Sequence, residues 1–300
     1  MTPISVEEAY SSYEAVRHRL PKLDPIRTNY RSVSTLEETM NDFDVFLLDA
    51  FGVLNIGETA ITETPDRVRS LRAAGKRVLV VSNAAGFPHA SLMAKYARLG
   101  YDFAPADVVT SRTTLLAEMN GSRSHWGLMA TRGTGLEDLD FLDLTYLEED
   151  PAVYDAVDGF LMIGSATWTE ARQSRLENSL LKRPRPVLVG NPDIVAPREN
   201  GFSTEPGFFA HRLADKTNVA PQFFGKPFHN IFDLAFRRLG PVDKTRVLMV
   251  GDSLHTDILG ARTAGISSAL ISGYGFFAGK DVEAAIIRSG IVPDYVVDRP

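Results

Sequence analysis

The sequence predicts an α/β fold of parallel sheets covered by helices on both faces. Three observations carry that expectation. Short apolar runs recur along the chain, as in Val45 to Leu48, Val187 to Val189 and Val247 to Val250. Each is short enough for a strand buried on both faces. Helix-period segments lie between many of these runs, and turn-forming Gly, Asn, Ser or Thr close them. Regular alternation of strand and helix is the pattern of parallel α/β layers.

The elements follow in chain order. Residues 5 to 20 read as an amphipathic helix, with Ser5 as its cap and Glu8 three residues on, the spacing of a capping box. The stretch from Pro21 to about Asp44 is polar and poorly periodic and reads as an extension wrapped on the surface. Val45 to Leu48 is the first buried strand. Thr64 to Ala74 is a helix, with Pro65 at its first position and Gly75 just past its end. Arg77 to Val81 is the second strand, stopping at Ser82-Asn83; Ala90 to Leu99 is a helix and Val108 to Thr110 a short strand. From about Arg112 the rhythm restarts, with strands at Gly127 to Ala130, Gly159 to Ile163 and Val187 to Val189 and a helix at Trp168 to Leu181. Phe223 to Pro227 breaks it. A helix from Asn230 to Leu239, the strand Val247 to Val250, a helix through Ala264 and strands at Ala269 to Ile271 and Tyr295 to Val297 complete the reading.

Bulk properties bound the function. The chain has 300 residues, 44% hydrophobic and 23% charged, with 32 Lys and Arg against 38 Asp and Glu. A net charge of -6 argues against nucleic acid as a partner. Without cysteine, disulfides and thiolate metal sites are excluded. No apolar stretch approaches the roughly 20 residues that span a bilayer, and the N-terminus lacks a basic region followed by an apolar one. The expectation is a cytoplasmic protein with neither a membrane nor a nucleic-acid partner.

Asp49 follows the first strand directly and precedes the turn at Gly52; Asp252 follows Val247 to Gly251 in the same way. In an open α/β sheet the C-terminal strand edge is where ligands bind. Asp49 there can cap a turn, or it can attack phosphorus and form an acyl phosphate with a cation to offset the repulsion between anions. Asp252 and Asp257 supply oxygen ligands of the kind Mg²⁺ prefers, although Asp257 can also serve a helix N-terminus. Ser82 and Asn83 form either an ordinary turn or an oxyanion cradle. Lys226, between Gly225 and Pro227, is either solvated or a point charge held on phosphoryl oxygens and the nucleophile.

Asp49-Ala-Phe-Gly-Val-Leu, Ser82-Asn83, Gly225-Lys226-Pro227 and Gly251-Asp252-Ser253-Leu254-His255-Thr256-Asp257 resemble, in that order, the four motifs of the haloacid dehalogenase-like superfamily. The last two strings, the long insertion between the second and third motifs, and Asn191-Pro192-Asp193 within it resemble the 4-nitrophenylphosphatase and NagD-like sugar-phosphatase branch. The likeness covers about residues 44 to 298. It implies a Rossmann-like core at 44–111 and 218–300, an inserted α/β cap at 112–217, and an N-terminal extension at 1–43 outside it. It implies Mg²⁺ held by Asp49, the main-chain carbonyl of Phe51 and Asp252, with Asp257 in support. Ser82 and Lys226 would hold the phosphoryl group of a small phosphate ester, and Asn191, Asp193 and Arg198 of the cap would face the substrate. The cap of this branch can also carry a homodimer interface.

One position departs from the pattern. Most phosphatases of the family have an aspartate two residues after the nucleophile that protonates the leaving oxygen and then activates water; here Phe51 stands there and can do neither. General acid–base help is typically worth roughly 10²–10⁴-fold. Another group takes the role, or the ester has a good leaving group, or turnover is slow. Asp-Ala-Phe-Gly also resembles the metal-independent 2-haloacid dehalogenases, so attack on carbon, or carbon–phosphorus hydrolysis, is the alternative chemistry. Asp252 and Asp257 favour the metal-dependent reading and also weigh against a non-catalytic phosphate-binding protein. His255, His211 and Asp193 are candidates for proton transfer, with a surface or capping role as the alternative for His255. Trp126 and Trp168 are expected in the core.

Overall fold

The computed structural model of the chain describes residues 5–23, 28–198 and 201–300. Two parallel sheets carry the fold. The larger has seven strands in the order Arg31–Thr35, Tyr295–Arg299, Ser267–Ile271, Val247–Gly251, Val45–Leu48, Arg77–Ser82 and Val108–Thr110. The smaller has five, in the order Gln222–Phe223, Val187–Val189, Gly159–Met162, His125–Met129 and Asp143–Tyr146. All ladder pairings within both sheets are parallel. The α/β class expected from alternating strand and helix is the one observed.

The central strands read as unbroken apolar runs because both faces are covered. Side chains alternate across a strand. Phe46 and Leu48 therefore join Val78, Val80, Leu248 and Val250 in one core layer, while Val45 and Leu47 join Leu79, Val81, Val247 and Met249 in the other. In the smaller sheet Met129, Phe160 and Met162 pack on one side and Leu128, Leu161 and Ile163 on the other. Trp168 and Trp126 lie in these two layers, as core residues. Among the described residues no helix is long and apolar enough to cross a membrane.

The N-terminal segment departs most from expectation. Its helix, Val6–Ala15, starts on the anticipated Ser5–Glu8 capping box. The following stretch does not simply wrap the surface: Arg31–Thr35 pairs in parallel with Tyr295–Arg299 and extends the large sheet. Only Val33 of that strand is buried. An edge strand with one apolar side chain leaves almost no period in the sequence. Residues 24–27 of this stretch lie outside the described residues.

Within the insertion, sequence reasoning omits the helices Ser111–Met119, Pro151–Ala156 and Pro206–Thr217, the strand Asp143–Tyr146 and the hairpin Val195–Arg198 with Gly201–Thr204. The strand Gln222–Phe223 belongs to the smaller sheet, so the chain leaves that sheet at the Phe224-Gly225 turn and enters the loop of Lys226.

Candidate active site

Sheet register builds the site. Val45–Leu48 and Val247–Gly251 are adjacent, with Leu48 opposite Val250, and the Asp49 N–H donates to the Val250 carbonyl at 2.9 Å. Asp49 and Asp252 therefore leave neighbouring strands at one edge. On the other flank Leu48 pairs with Val80, which brings Ser82 to the same edge. The sequence places carboxylates and hydroxyl after apolar runs; parallel pairing converts this into proximity.

Among the described residues, Asp49, Asp252 and Asp257 form one buried cluster, each offering an oxygen within 4.8 Å of the others. Asp257 comes from a π-helical turn, Leu254–Ile258, that forms the second half of the fourth motif. Its Oδ2 accepts the Ser253 N–H at 3.1 Å, so it also satisfies local backbone. Asp252 Oδ2 accepts the Phe276 N–H at 2.8 Å. Lys226 is the cation of the cluster. Its Nζ donates to Asp49 Oδ1 and Asp257 Oδ1, each at 2.6 Å, and its side chain is 2% exposed. Burial works against its charge, but Asp257 and Asp49 outweigh that and hold its pKa above the ordinary lysine range.

Three carboxylates crowd one lysine, and the deficit of positive charge shows at Asp257 and Asp252. Burial raises Asp257 to about 6, with Lys226 opposing the rise. Burial, then Asp49 and Asp257, push Asp252 well above the usual carboxylate range. A second cation would remove that penalty. The backbone is shaped to the same end: a Cβ at Gly52, where φ is +76°, would lie 2.5 Å from Asp252 Oδ2, and one at Gly275, where φ is +73°, would collide with the same carboxylate. An all-oxygen donor set, excess negative charge and close glycine walls fit a hard divalent cation.

Asn83 proves to be a hub. Its Oδ1 accepts from the Lys226 N–H at 2.7 Å and Ser111 Oγ at 2.9 Å. Its Nδ2 donates to the Lys226 carbonyl at 2.9 Å and to Asp193 Oδ1 at 2.7 Å. The side chain's full hydrogen-bonding capacity is thus spent on fixing the lysine loop and on holding a residue of the insertion. Ser82 differs. Among the described residues its Oγ makes only a long contact, 3.4 Å from the Ala84 N–H, and it is 6% exposed.

The insertion residues separate. Asp193 reaches the strand edge through Asn83, whereas Asn191 stays within the insertion, its Nδ2 donating to Glu205 at 3.2 Å. Arg198 closes the strand Val195–Arg198, and its side chain lies outside the described residues. Phe51 is half-buried in the turn after Asp49, which the Leu54 N–H closes on the Ala50 carbonyl at 2.8 Å.

His255 is neither at the surface nor a cap. It is 1% exposed, with Tyr13 stacked on it at 5.1 Å, Tyr10 edge-on at 5.2 Å, and Nε2 2.5 Å from Glu14 Oε1. Burial lowers its pKa, against the pull of Glu14. Sequence reasoning missed this because the enclosing groups come from a helix 240 residues earlier in the chain, outside the motifs. The apolar spacing of Ala9, Tyr10 and Tyr13 on one face was the only local signal.

A parallel α/β sheet thus presents an aspartate, a lysine-bound acidic cluster and a buried serine at neighbouring strand ends, and comparison with known proteins places this arrangement among hydrolases. Residues 46–138 match the haloacid dehalogenase-like hydrolase family and residues 223–299 a related HAD-hydrolase-like family. The chain is 30% identical over 295 residues to the glycerol-3-phosphate phosphatase of Gallus gallus, covering 88% of this chain and 92% of that one. It is 26% identical over 230 residues to the acid sugar phosphatase of Staphylococcus haemolyticus, covering 76% and 85%. A possible sugar phosphatase from Cytophaga hutchinsonii shares the fold with a TM-score of 0.76 at 21% identity, covering 90% and 98%. The protein belongs to the haloacid dehalogenase-like hydrolase family.

Proposed function

We propose that this protein is a Mg²⁺-dependent phosphatase of small phosphate esters, working through an aspartyl-phosphate on Asp49. One observation carries the reading: Lys226 is buried between Asp49 and Asp257, and Asp252 completes the cluster. Relatives that are glycerol-3-phosphate and acid sugar phosphatases support the substrate class.

The chemistry follows from the chain's own groups. Lys226 occupies Asp49 Oδ1 and orients the carboxylate. Asp49 Oδ2, which has no hydrogen-bond partner among the described residues, is the attacking oxygen. It displaces the alkoxide from phosphorus, and water then cleaves the acyl phosphate. The Ser82 hydroxyl and Lys226 bind the phosphoryl oxygens. Asp49, Asp252 and the Phe51 carbonyl would hold Mg²⁺, with Asp257 behind them, and the ion would offset the charge of the approaching phosphate. Asp193, bonded to Asn83 at the strand edge, would face the substrate, with Asn191 holding its backbone N–H.

The alternative, attack on carbon without a metal, gives no role to three mutually repelling buried carboxylates. The test is hydrolysis of 4-nitrophenyl phosphate with Mg²⁺ present and then chelated, in the native protein and in Asp49→Asn. Full activity in chelator or in the variant would sink the proposal.

A further inference from the structure

Phe51 leaves the leaving oxygen without its usual proton source. Three other groups were candidates from sequence, and the geometry separates them. His255 is enclosed by Tyr10, Tyr13 and Glu14. His211 stacks on Phe223 of the smaller sheet at 4.7 Å, with neither ring nitrogen hydrogen-bonded among the described residues. Burial brings its pKa down to about 4, so it is neutral near pH 7. Asp193 alone is bonded to a motif residue, Asn83, whose other bonds fix the loop of Lys226.

We propose that Asp193, delivered by the inserted segment, is the proton donor to the leaving group in place of the carboxylate that Phe51 displaces. The placement is rigid. The Asp193 N–H donates to Asn191 Oδ1 at 3.0 Å, and the Asp193 carbonyl accepts the Gly207 N–H at 3.0 Å. Pro192 is wedged between two glycines: a Cβ at Gly207 would clash with the Pro192 carbonyl, and one at Gly225 would lie 2.8 Å from Pro192 Cδ. From the N-terminal helix, the Tyr13 hydroxyl accepts the Ile194 N–H at 3.3 Å. The loop is thus pinned from both sheets and from the N-terminal segment.

Only Oδ1 of Asp193 has a hydrogen-bond partner among the described residues, and the side chain is half-buried, so Oδ2 is available to a ligand. Burial raises its carboxyl to about 7, with Asn83 and Lys226 opposing and Asp49 and Glu205 adding to the rise. A donor that must later act as base works best with a pKa near the working pH. As Asp49 bonds to phosphorus and the P–O ester bond breaks, Asp193 gives its proton to the departing oxygen and an alcohol leaves. The Asp193 carboxylate then takes a proton from the water that attacks the acyl phosphate. Inorganic phosphate leaves, and Asp49 and Asp193 return to their starting states.

This inference rests on the phosphatase reading, and the test separates the two. Native protein, Asp193→Asn and the double variant Asp193→Asn/Phe51→Asp are assayed on glycerol 3-phosphate and on 4-nitrophenyl phosphate at saturation. A nitrophenolate leaves without a proton, whereas an alkoxide needs one. Asp193→Asn is expected to lose roughly 10²–10⁴-fold in kcat on the alkyl ester and far less on the aryl ester, and the double variant to regain part of the alkyl activity. Equal loss on both esters, or no loss on either, overturns the assignment while leaving the phosphatase reading standing. A native protein that cleaves neither ester removes the phosphatase reading and the assignment with it. Circular dichroism and a thermal melt of Asp193→Asn verify that the rates come from folded protein.

Discussion

Replacing Lys226 with methionine isolates the electrostatics of the site. Methionine keeps most of the buried stem, so the change removes charge rather than volume. The native ammonium makes two 2.6 Å bonds and is 2% exposed, while the carboxylates around it are buried. Its loss leaves Asp49, Asp252 and Asp257 clustered without a cation. Breaking a buried ion pair by removing one partner costs about 3–5 kcal/mol, and for a chain of this size each kcal/mol lowers Tm by roughly 2–4 °C. The expected fall is therefore on the order of 10 °C in chelator at pH 7.5. A cation can replace part of the missing charge, and a ligand that binds only the folded state stabilises it by mass action. Millimolar Mg²⁺ should then raise the Tm of Lys226→Met by more than it raises that of the native protein. Differential scanning calorimetry with and without Mg²⁺ measures both. A loss below about 1 kcal/mol, the range of an exposed ion pair, or equal Mg²⁺ shifts in both proteins, would refute the account of the cluster.

Three further outcomes are expected. Asp193 has its carboxyl at about 7 against an ordinary 3.8, with Lys226, Asp49 and Glu205 facing it. The unfolded carboxyl ionises first as pH rises, so the folded state binds more protons between about pH 4 and 7 and Asp193 makes native stability fall across that window, by at most about 4 kcal/mol. Asp257 and Asp252, raised in the same direction, add to the slope. Urea melts at both ends should therefore show a shallower fall in Asp193→Asn than in native protein, and an unchanged slope would refute the account. Gly275→Ala would force a Cβ against the Asp252 carboxylate at a φ of +73°, and an increase of tenfold or more in the Mg²⁺ concentration for half-maximal activity is expected, against an unchanged titration if the cradle is irrelevant. Tyr13→Ala removes a buried ring stacked on His255 and the hydroxyl bonded to Ile194, costing about 3–5 kcal/mol in chemical denaturation, whereas Tyr13→Phe should cost about 1 kcal/mol.

Much of the site was legible because its parts sit where local sequence is most informative. Asp49 and Asp252 each follow an apolar run that can only be a buried strand, and Lys226 lies between Gly and Pro. What local pattern cannot carry is which strands are neighbours. The adjacency of Val45–Leu48 and Val247–Gly251 depends on packing across 200 residues, and the motif resemblance rather than the spacing pointed to it. The role of Asn83 illustrates a second limit. Ser-Asn after a strand signals a turn or an anion cradle equally well, and its four bonds to Lys226, Ser111 and Asp193 involve partners from distant segments. The edge strand Arg31–Thr35 was invisible for the opposite reason: one buried valine makes no period. His255 was legible as a motif residue but not as an enclosed one, because Tyr10, Tyr13 and Glu14 carry no mark of their destination.

The central claim is that Asp49 takes the phosphoryl group, and trapping that intermediate tests it most directly. The protein is mixed with 4-nitrophenyl phosphate and Mg²⁺, quenched in acid within the first turnover, digested and analysed by mass spectrometry. The account predicts one added phosphoryl group on the peptide containing Asp49, and its absence in Asp49→Asn. A phosphoryl group on any other residue, or Asp49→Asn turning over at the native rate, would contradict it.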